Sequence, residues 1–289
     1  MQNGRVAVVA GATRGIGLAV VEALARNWGP DDVVYLTARK PEDGVRATAK
    51  AREAAGAAAA TIDWLPFDLA DRQAPEHLAR TLAGRHGDVD VAILNGAFAP
   101  GHDAPAERDA RPMIEANNHG TLRFLRAMEP ILRPYARLLV TASGFGLLKN
   151  LPEQLRPRFD TRNNTPEAID GTMNDYVAAA EGHRLEAEGW PSWVNIPSKI
   201  GQVAVTRAFA HAYAHDPARR DGVLINAICP GLTLTEATAG LMDNVFKGRK
   251  AQTPAEAAAH IVWLATLPPG TSEPYGELVQ QRRVLPYGD

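Results

Sequence analysis

A glycine-rich turn near the start of the chain has the spacing needed to hold a phosphate group. Gly11, Gly15 and Gly17 separate a β-branched run at residues 6–10 from a stretch with helical spacing at residues 16–26. Gly11 allows a tight turn, Gly15 lets the backbone approach a pyrophosphate, and Gly17 lets the helix pack close to the strand. Because a helix N-terminus also supplies unpaired N–H groups, this context predicts a dinucleotide-binding turn.

Two arginines favour one form of the dinucleotide. The second β-branched run, residues 33–37, leads to Arg39, where an acidic residue would bond the ribose 2′-hydroxyl of NAD. An arginine there accommodates a 2′-phosphate, and Arg14 in the glycine turn could form the other side of a guanidinium clamp. The alternative is that both are ordinary solvated side chains. The pattern favours NADP(H).

Other residues near the turn are candidates for contact with the cofactor. Asp68 lies between the expected strands at residues 33–37 and 89–94, where it either bonds the adenine amino group or caps a helix over residues 71–85. Thr13 and Ile16 lie inside the glycine turn, and Leu69 follows Asp68. We include all four among the predicted cofactor-binding residues.

The order of elements along the chain predicts how these residues are positioned. Short β-branched runs alternate with helical stretches, which is typical of a parallel sheet covered on both faces. We expect an α/β fold with a doubly wound parallel sheet, in a single domain over residues 1–289. Strands are expected at residues 6–10, 33–37, 89–94, 137–141, 223–228 and, at the sheet edge, 277–280, and helices at 16–26, 75–85, 120–132, 199–215 and 253–267.

Residues 147–191 interrupt this alternation. They are rich in Pro, Asn, Glu and Arg, and they separate an expected strand from an expected helix. A structureless loop of this length is unusual inside a compact domain. We therefore expect a partly helical insert, most helical at residues 175–188, that lies over one end of the sheet and covers the substrate pocket.

Composition and charge narrow the class of protein. The 289 residues carry a formal net charge of −2, with 45% hydrophobic and 22% charged residues, as in ordinary globular proteins. A near-neutral chain has no overall field for nucleic acid or an anionic membrane, so neither partner is expected. The sequence has neither an apolar run long enough to span a membrane nor a signal-peptide pattern, so we expect a cytoplasmic protein.

Metal and disulfide chemistry are not expected. Cys229 is the single cysteine, which excludes an intramolecular disulfide and a cysteine-rich zinc site. His211 and His215 stand four residues apart on an expected helix, but the sequence offers no evident third ligand. We therefore predict no metal.

Several motifs resemble the short-chain dehydrogenase/reductase family, in the family's order and over essentially the whole chain. The sequence is most similar to the monomeric carbonyl reductases within that family. The resemblance implies a Rossmann fold, an NADP(H) cofactor, a small-molecule ketone substrate, and a monomer, because the insert would cover the helices through which the family usually dimerises. The motifs are AGATRGIGLAVVEAL, VVYLTAR, DVDVAILNGAF, NNHGTLRFLRAMEPIL, RLLVTASG, SKIG, INAICPGLTLT, and LATLPP followed by YGELV.

The resemblance also implies residues that hold the cofactor. Asn95 and Gly96 match the segment around the adenosine ribose, although the family's Asn-Asn-Ala-Gly reads Leu-Asn-Gly-Ala here. Lys199 matches the lysine that bonds the nicotinamide ribose. A further loop matches the one that bonds the nicotinamide carboxamide, and it contains Pro230, Gly231, Thr233 and Thr235.

Three residues match the family's reaction machinery. Asn117 matches an asparagine that holds a water in a proton relay, which also involves Lys199. Ser143 matches a serine that orients the substrate, and its hydroxyl can donate to a developing alkoxide. The alternative interpretations are a turn serine for Ser143 and an exposed helix lysine for Lys199.

One position departs from the family. The family has Tyr-x-x-x-Lys, but the residue four positions before Lys199 is Asn195. An amide is not a useful acid, and the loss of a positioned general acid typically costs about 10²- to 10⁴-fold in rate. Asn195 either contacts the substrate oxygen or caps a helix that starts later, with Pro197 in its first turn.

Three sources could supply the missing proton. A relay through Asn117, a water and Lys199 could deliver it from solvent. Tyr176 or His183, both in the insert, could fold over the site, and Tyr176 is the first side-chain candidate although an aromatic packed on a helix is its ordinary role. A phenolic polycyclic substrate could also supply its own proton.

The leading hypothesis is NADPH-dependent reduction of a ketone on a bulky or polycyclic small molecule of secondary metabolism. The first alternative keeps the fold and the cofactor but not net hydride transfer, as in a cyclase, isomerase or dehydratase. The second is a nucleotide-sensing module without turnover.

Overall fold

The computed structural model describes residues 4–98 and 105–288, which form an α/β domain around one eight-stranded sheet. The strand order is β3-β2-β1-β4-β5-β6-β7-β8, with β1 to β7 parallel and β8 antiparallel to β7. The strands are β1 (Val6–Ala10), β2 (Val33–Ala38), β3 (Thr61–Pro66), β4 (Val89–Leu94), β5 (Leu132–Thr141), β6 (Leu224–Ile228), β7 (Leu278–Gln280) and β8 (Arg283–Leu285).

Helices cover both faces of this sheet, as the alternating pattern predicts. One layer contains α1 (Gly15–Asn27), α2 (Pro41–Ala55) and α9 (Pro254–Ala265), and the other contains α3 (Ala74–His86), α4 (Ala106–Ile114), α5 (Gly120–Met128) and α7 (Asn195–Ala214). Two further helices are α6 (Pro166–Glu181) and the short α8 (Ala239–Asn244). Two apolar cores, one on each face, join the layers to the central strands. The doubly wound fold is therefore confirmed.

The strand order reverses between β1 and β4, and this point fixes the location of the site. β3 and β2 lie on one side of β1, whereas β5, β6 and β7 lie beyond β4. Ligands of doubly wound folds bind outside the carboxyl ends of the strands at such a reversal. The residues that follow β1, β4, β5 and β6 are thereby placed along one edge of the sheet.

The insert differs from its expected form. Its main helix is α6, which begins at Pro166 and ends at Glu181, rather than the expected segment 175–188. The Thr165 hydroxyl accepts a hydrogen bond from the Ala168 N–H, and proline is favoured in a first turn, so the helix starts earlier. α6 packs against α4, α5 and α7, and coverage of the substrate pocket by the insert stays a prediction.

Two other expectations are corrected at the ends of the elements. β7 is not an edge strand, because β8 pairs with it through Leu278, Val279 and Gln280. The expected helix at residues 120–132 is α5 followed by a 3-10 turn, Glu129–Ile131, and it is preceded by a π-helical turn, Glu115–His119. Within the described residues, the structure holds no helix long and apolar enough to cross a membrane.

Candidate active site

The glycine turn after β1 meets the chain after β4 at very close range. A Cβ on Gly11 would lie 2.3 Å from the Gly96 Cα, and one on Gly17 would lie 2.4 Å from the Gly11 carbonyl oxygen. Gly11 also has a φ of 75°, which favours glycine. The Asn95 side chain donates to the Gly11 carbonyl at 3.0 Å. Glycine is therefore required here for backbone contact, as well as for the turn.

The start of α1 is suited to an anion. Among the described residues, no side chain caps the helix at Arg14, so its first N–H groups face outward. Gly15 has a φ of 56°, and the nearest atoms to a Cβ built on it belong to Thr235, at 3.5 Å. The N–H groups at this helix start could bond a pyrophosphate, and Thr235 lies beside them.

The two predicted clamp arginines are exposed. Arg14 pairs with Glu236 at 3.2 Å, and both side chains remain largely in solvent. Such a surface pair contributes little free energy, so a phosphate could replace the carboxylate. Arg39 follows β2 and is exposed, without an ion pair to any residue that the structure describes.

Asp68 does not cap a helix. α3 begins six residues later, at Ala74, and the Asp68 carboxylate instead accepts the Ala70 N–H at 3.1 Å. The capping alternative is therefore wrong, and contact with adenine stays a prediction. Leu69, next to it, is buried against Gly120.

The loop after β6 is held by its own hydrogen bonds. Gln252 donates from its amide to the Pro230 carbonyl and to the Thr233 hydroxyl, while Thr238 donates to the Thr233 carbonyl at 2.6 Å. Gly231 has a φ of 82°, which turns the chain away from the strand. These contacts bring residues 230–235 over the start of α1.

Ser143 lies just after β5, and its hydroxyl hydrogen is available to donate a hydrogen bond to a ligand. Its oxygen accepts the Phe145 N–H at 3.2 Å, so a local turn fixes the side chain. The hydroxyl hydrogen donates to no acceptor among the described residues, and Ser143 is partly exposed. The turn role and the predicted substrate role are therefore compatible, because the first uses the oxygen and the second uses the proton.

Asn117 lies in the π-helical turn and is fully buried. Its side chain accepts the Phe98 N–H at 2.7 Å and donates to the Phe98 carbonyl at 2.8 Å and the Ser198 hydroxyl at 3.3 Å. π-Helical turns are frequent at functional sites. Here the turn presents an amide that fixes neighbouring segments, and a role in holding water stays a prediction.

Lys199 lies in the first turns of α7, and its ammonium has an unexpected partner. The Lys199 Nζ donates to the Gln202 Oε1 at 2.6 Å, and the Gln202 amide donates to the Thr121 hydroxyl at 3.1 Å. Although Lys199 is partly exposed, burial of its ammonium lowers its pKa to about 8. Sequence reasoning missed Gln202, because its partner Thr121 is remote in the chain.

Asn195 is the first residue of α7, one turn before Lys199. The capping hypothesis is wrong, since Val194 occupies the cap position and, in the part of the chain that is described, no side chain caps this end. Residues four apart on a helix share a face, so Asn195 and Lys199 point the same way. Contact between Asn195 and a substrate oxygen stays a prediction.

The two candidate acids in the insert lie elsewhere. Tyr176 is completely buried in the core, where its ring packs against Trp190 and its hydroxyl donates to the Pro191 carbonyl at 3.5 Å. Burial raises the pKa of Tyr176. His183 is exposed just beyond the end of α6. Tyr176 is therefore a packing residue, and its proposed role as the proton donor is corrected.

Three aromatic rings pack together, and two of them belong to the segments that carry Ser143 and Asn195. The Phe145 ring lies 5.2 Å from that of Trp193 and 6.2 Å from that of Phe246, between centroids. Phe145 follows Ser143 by two residues, and Trp193 precedes Asn195 by two. The sequence analysis did not find this group, because its members come from three distant segments.

Comparison with known proteins agrees with this geometry. A model of the short chain dehydrogenase family matches residues 5–153. NADPH carbonyl reductase 1 of Mus musculus is 31% identical over 287 residues, which cover 98% of each chain. The Homo sapiens protein of the same name is 31% identical over 284 residues, which cover 96% of this chain and 97% of that one.

Solved structures show the same fold. Salutaridine reductase from Papaver somniferum has a TM-score of 0.79 and 23% identity, covering 95% of this chain and 99% of that chain. Menthone neomenthol reductase from Mentha piperita has a TM-score of 0.75 and 22% identity, covering 96% and 98%. At this level of identity, the likeness concerns the fold alone.

The fold and the sequence matches together define a class of protein. The chain belongs to the short-chain dehydrogenase family. It is an oxidoreductase that acts on carbonyl or CH–OH groups, and within the family it is similar to the carbonyl reductases.

Proposed function

We propose that this protein reduces a ketone on a bulky small molecule, with NADPH as the reductant. The observation that carries the proposal is Ser143, whose hydroxyl proton is free to meet a carbonyl oxygen beside the first turn of α7. The similarity to carbonyl reductases over nearly the whole chain supports the same reaction.

The residues present fit a nicotinamide dinucleotide. The close backbone contact of Gly11 with Gly96 and the uncapped start of α1, judged on the described residues, form a cradle for a pyrophosphate. Arg14 and Arg39 would hold a 2′-phosphate, which supports NADPH over NADH. Lys199 would bond the nicotinamide ribose and residues 230–235 the carboxamide.

The cofactor, when bound, supplies the hydride that the carbonyl carbon accepts. The protein's part is to hold the carbonyl and to stabilise the charge that develops on its oxygen. The Ser143 hydroxyl donates to that oxygen, and the Asn195 amide, on the same helix face as Lys199, gives a second hydrogen bond. Neither group needs to give up its proton in these roles.

The aromatic rings support a bulky substrate. Phe145, Trp193 and Phe246 pack together, and we place them as an apolar wall of the substrate pocket next to Ser143. Such walls bind rings by stacking and by burial of apolar area. We therefore place the substrate among bulky ketones, including polycyclic ketones of secondary metabolism. We further propose that the protein acts as a cytoplasmic monomer.

The direct test is oxidation of NADPH with a panel of bulky ketones, followed by absorbance of the reduced cofactor. Turnover with at least one ketone is expected, and Ser143→Ala should lower it by about 10²-fold or more, as loss of an oxyanion donor does. Binding of NADPH without oxidation by any ketone would contradict the proposal.

Asn195 favours a second candidate. Without an acid at this position, the pocket could orient a substrate for cyclisation, isomerisation or dehydration, with no net hydride transfer. In that case a substrate is converted while the absorbance of NADPH stays constant.

A further inference from the structure

A chain of buried side chains connects Lys199 to the π-helical turn. The Lys199 ammonium donates to Gln202, the Gln202 amide donates to the Thr121 hydroxyl, and Thr121 donates to the Asn117 carbonyl. Gln202, Thr121 and Asn117 are all fully buried. Three elements, α7, α5 and the π-helical turn, therefore fix the position of one ammonium group.

The series of hydrogen bonds from Lys199 to Asn117 allows only one orientation of the Gln202 side-chain amide. Thr121 has a single hydroxyl proton, which it gives to the Asn117 carbonyl, so its oxygen must accept from Gln202. The Gln202 NH₂ group therefore faces Thr121, and its Oε1 faces Lys199. The ammonium is held by a neutral acceptor rather than by a carboxylate.

The charges around Lys199 favour release of its proton. The titratable group that faces it, among the described residues, is the Cys229 thiol at the end of β6, and burial raises the pKa of that thiol. Thr121 and Gln202, from α5 and α7, carry no charge. A buried ammonium without a compensating anion has a lowered pKa, and here that value is about 8.

We propose that Lys199 is the proton donor to the product oxygen, and that Gln202 positions its ammonium for this task. The inference rests on the proposed reduction of a ketone. Once the carbonyl carbon has accepted a hydride from the reduced dinucleotide, its oxygen carries a negative charge. An Nζ–H bond of Lys199 breaks and an O–H bond forms, while the electron pair stays on nitrogen. The neutral amine then takes a proton from solvent.

Other groups are poorly placed to compete. The Asn117 side chain is engaged by Phe98 and Ser198, and Tyr176 is buried in the core. Asn195 cannot yield a proton. Lys199 is partly exposed and lies on the helix face that it shares with Asn195, so we place its ammonium within reach of the same substrate oxygen.

The first test measures the titration of Lys199 without turnover. The protein is labelled with [ε-¹³C]lysine, its NMR resonances are followed against pH, and Lys199→Met assigns the one of interest. Lys199 is expected to titrate near pH 8. Gln202→Glu should raise its pKa by about 1–3 pH units, because it places an anion beside the ammonium. Gln202→Met, a neutral control of similar size, should lower it.

The second test follows kcat against pH. Because the donor must be protonated, kcat should fall as pH rises through the pKa of Lys199. In Gln202→Glu and Gln202→Met, the pH at which kcat falls should shift by the same amount as the pKa of Lys199 measured by NMR. A Lys199 pKa of about 10.4, the ordinary value of a lysine side chain, would overturn the proposal. The proposal would also be overturned if the pH at which kcat falls stayed constant while the NMR pKa of Lys199 changed. The proposed reduction of a ketone would be unaffected by that result. If no ketone is reduced at all, the proposed function and the donor role both fall.

Discussion

We propose that Ser143, Asn195 and Lys199 share the work that a serine, a tyrosine and a lysine perform in the family. The turn at Ser143 leaves the hydroxyl proton of that residue free for a ligand. Asn195 lies one turn before Lys199, and its contact with the substrate oxygen is a prediction. Gln202 holds the lysine with a neutral oxygen. At this scale, the proposed chemistry depends on which groups donate a hydrogen bond, Ser143 and Asn195, and which one releases a proton, Lys199.

Replacing Asn195 by tyrosine tests the contribution of a phenolic acid. Asn195→Tyr should raise ketone reduction by up to about 10²-fold, because it restores a positioned general acid beside Lys199. Steady-state kcat with a bulky ketone and NADPH is the measurement. Asn195→Phe controls for size, since it adds the ring without the hydroxyl. Loss of an existing activity in both variants would show that the amide itself orients the substrate.

We predict that Arg39 sets a preference for the phosphorylated cofactor. Arg39→Asp should weaken NADPH binding by about tenfold or more, because it replaces a charge-assisted hydrogen bond with repulsion, and should affect NADH far less. Dissociation constants for both cofactors can be measured by fluorescence. Arg46→Asp, a change of the same charge on the exposed surface of α2, is the control. Equal weakening of NADPH and NADH would contradict the clamp.

A residue of the site could be predicted from the sequence where it belongs to a short, recognisable motif. The glycine turn, Ser143 and Lys199 stand in short motifs, so their positions follow from the sequence. Gln202 does not, because its significance depends on Thr121, 81 residues earlier. The burial of Tyr176 was likewise set by Trp190 and the core, not by its own motif.

At the scale of elements, hydrogen bonds from a histidine connect α6 to the π-helical turn. His119 ends the π-helical turn and bonds Asp170 at 2.7 Å and Asn174 at 3.1 Å, both on α6. Burial alone would lower the pKa of His119, but the hydrogen bond and charge of Asp170, with the charge of Glu115, raise it. Both partners accept, so the protonated ring, with two N–H donors, satisfies them best.

This contact predicts a pH-dependent stability. A raised pKa in the folded state means that the stabilisation is fully present below about pH 6.5 and is lost as pH rises through the folded-state value. Asp170→Asn should therefore reduce the free energy of unfolding by about 1–3 kcal/mol at pH 6, and by less at pH 9. Urea denaturation at both values measures it. The exposed Asp175→Asn on the same helix should cost under about 1 kcal/mol at either pH. An Asp170→Asn deficit that grows with pH would contradict the assignment.

The ends of helices and strands were predictable only where the residues that determine them are close together in sequence. At the start of α9, Thr253 and Glu256 form a capping box, a signal that lies within four consecutive residues. The start of α6 was missed, because residues 163–166 look like a loop until Thr165 is seen to cap the helix. β8 was missed because a three-residue strand has too short a pattern, and its pairing with β7 is a tertiary contact.

At the scale of the molecule, α6 covers helices through which the resemblance implies that the family usually dimerises. It packs against α4 and α5, and Arg111 of α4 bonds Glu181 of α6 at 2.6 Å. We therefore predict a monomer. Sedimentation equilibrium should give a single species near 31.0 kDa. A stable species of twice that mass would contradict the prediction.

The overall fold followed from the alternation of strands and helices, because that pattern is repeated along the whole chain. The direction of β8 and the placement of the insert did not, since they depend on contacts between segments far apart in sequence. The aromatic wall of Phe145, Trp193 and Phe246 arises in the same way.

The most direct test of the account is transfer of a labelled hydride. The protein is incubated with NADPH that carries deuterium at the transferred position and with a bulky ketone, and the product is analysed by mass spectrometry and NMR. We predict one deuterium on the former carbonyl carbon for each cofactor oxidised. A product formed without deuterium, with the cofactor unchanged, would show that the protein uses its dinucleotide site for a reaction other than reduction.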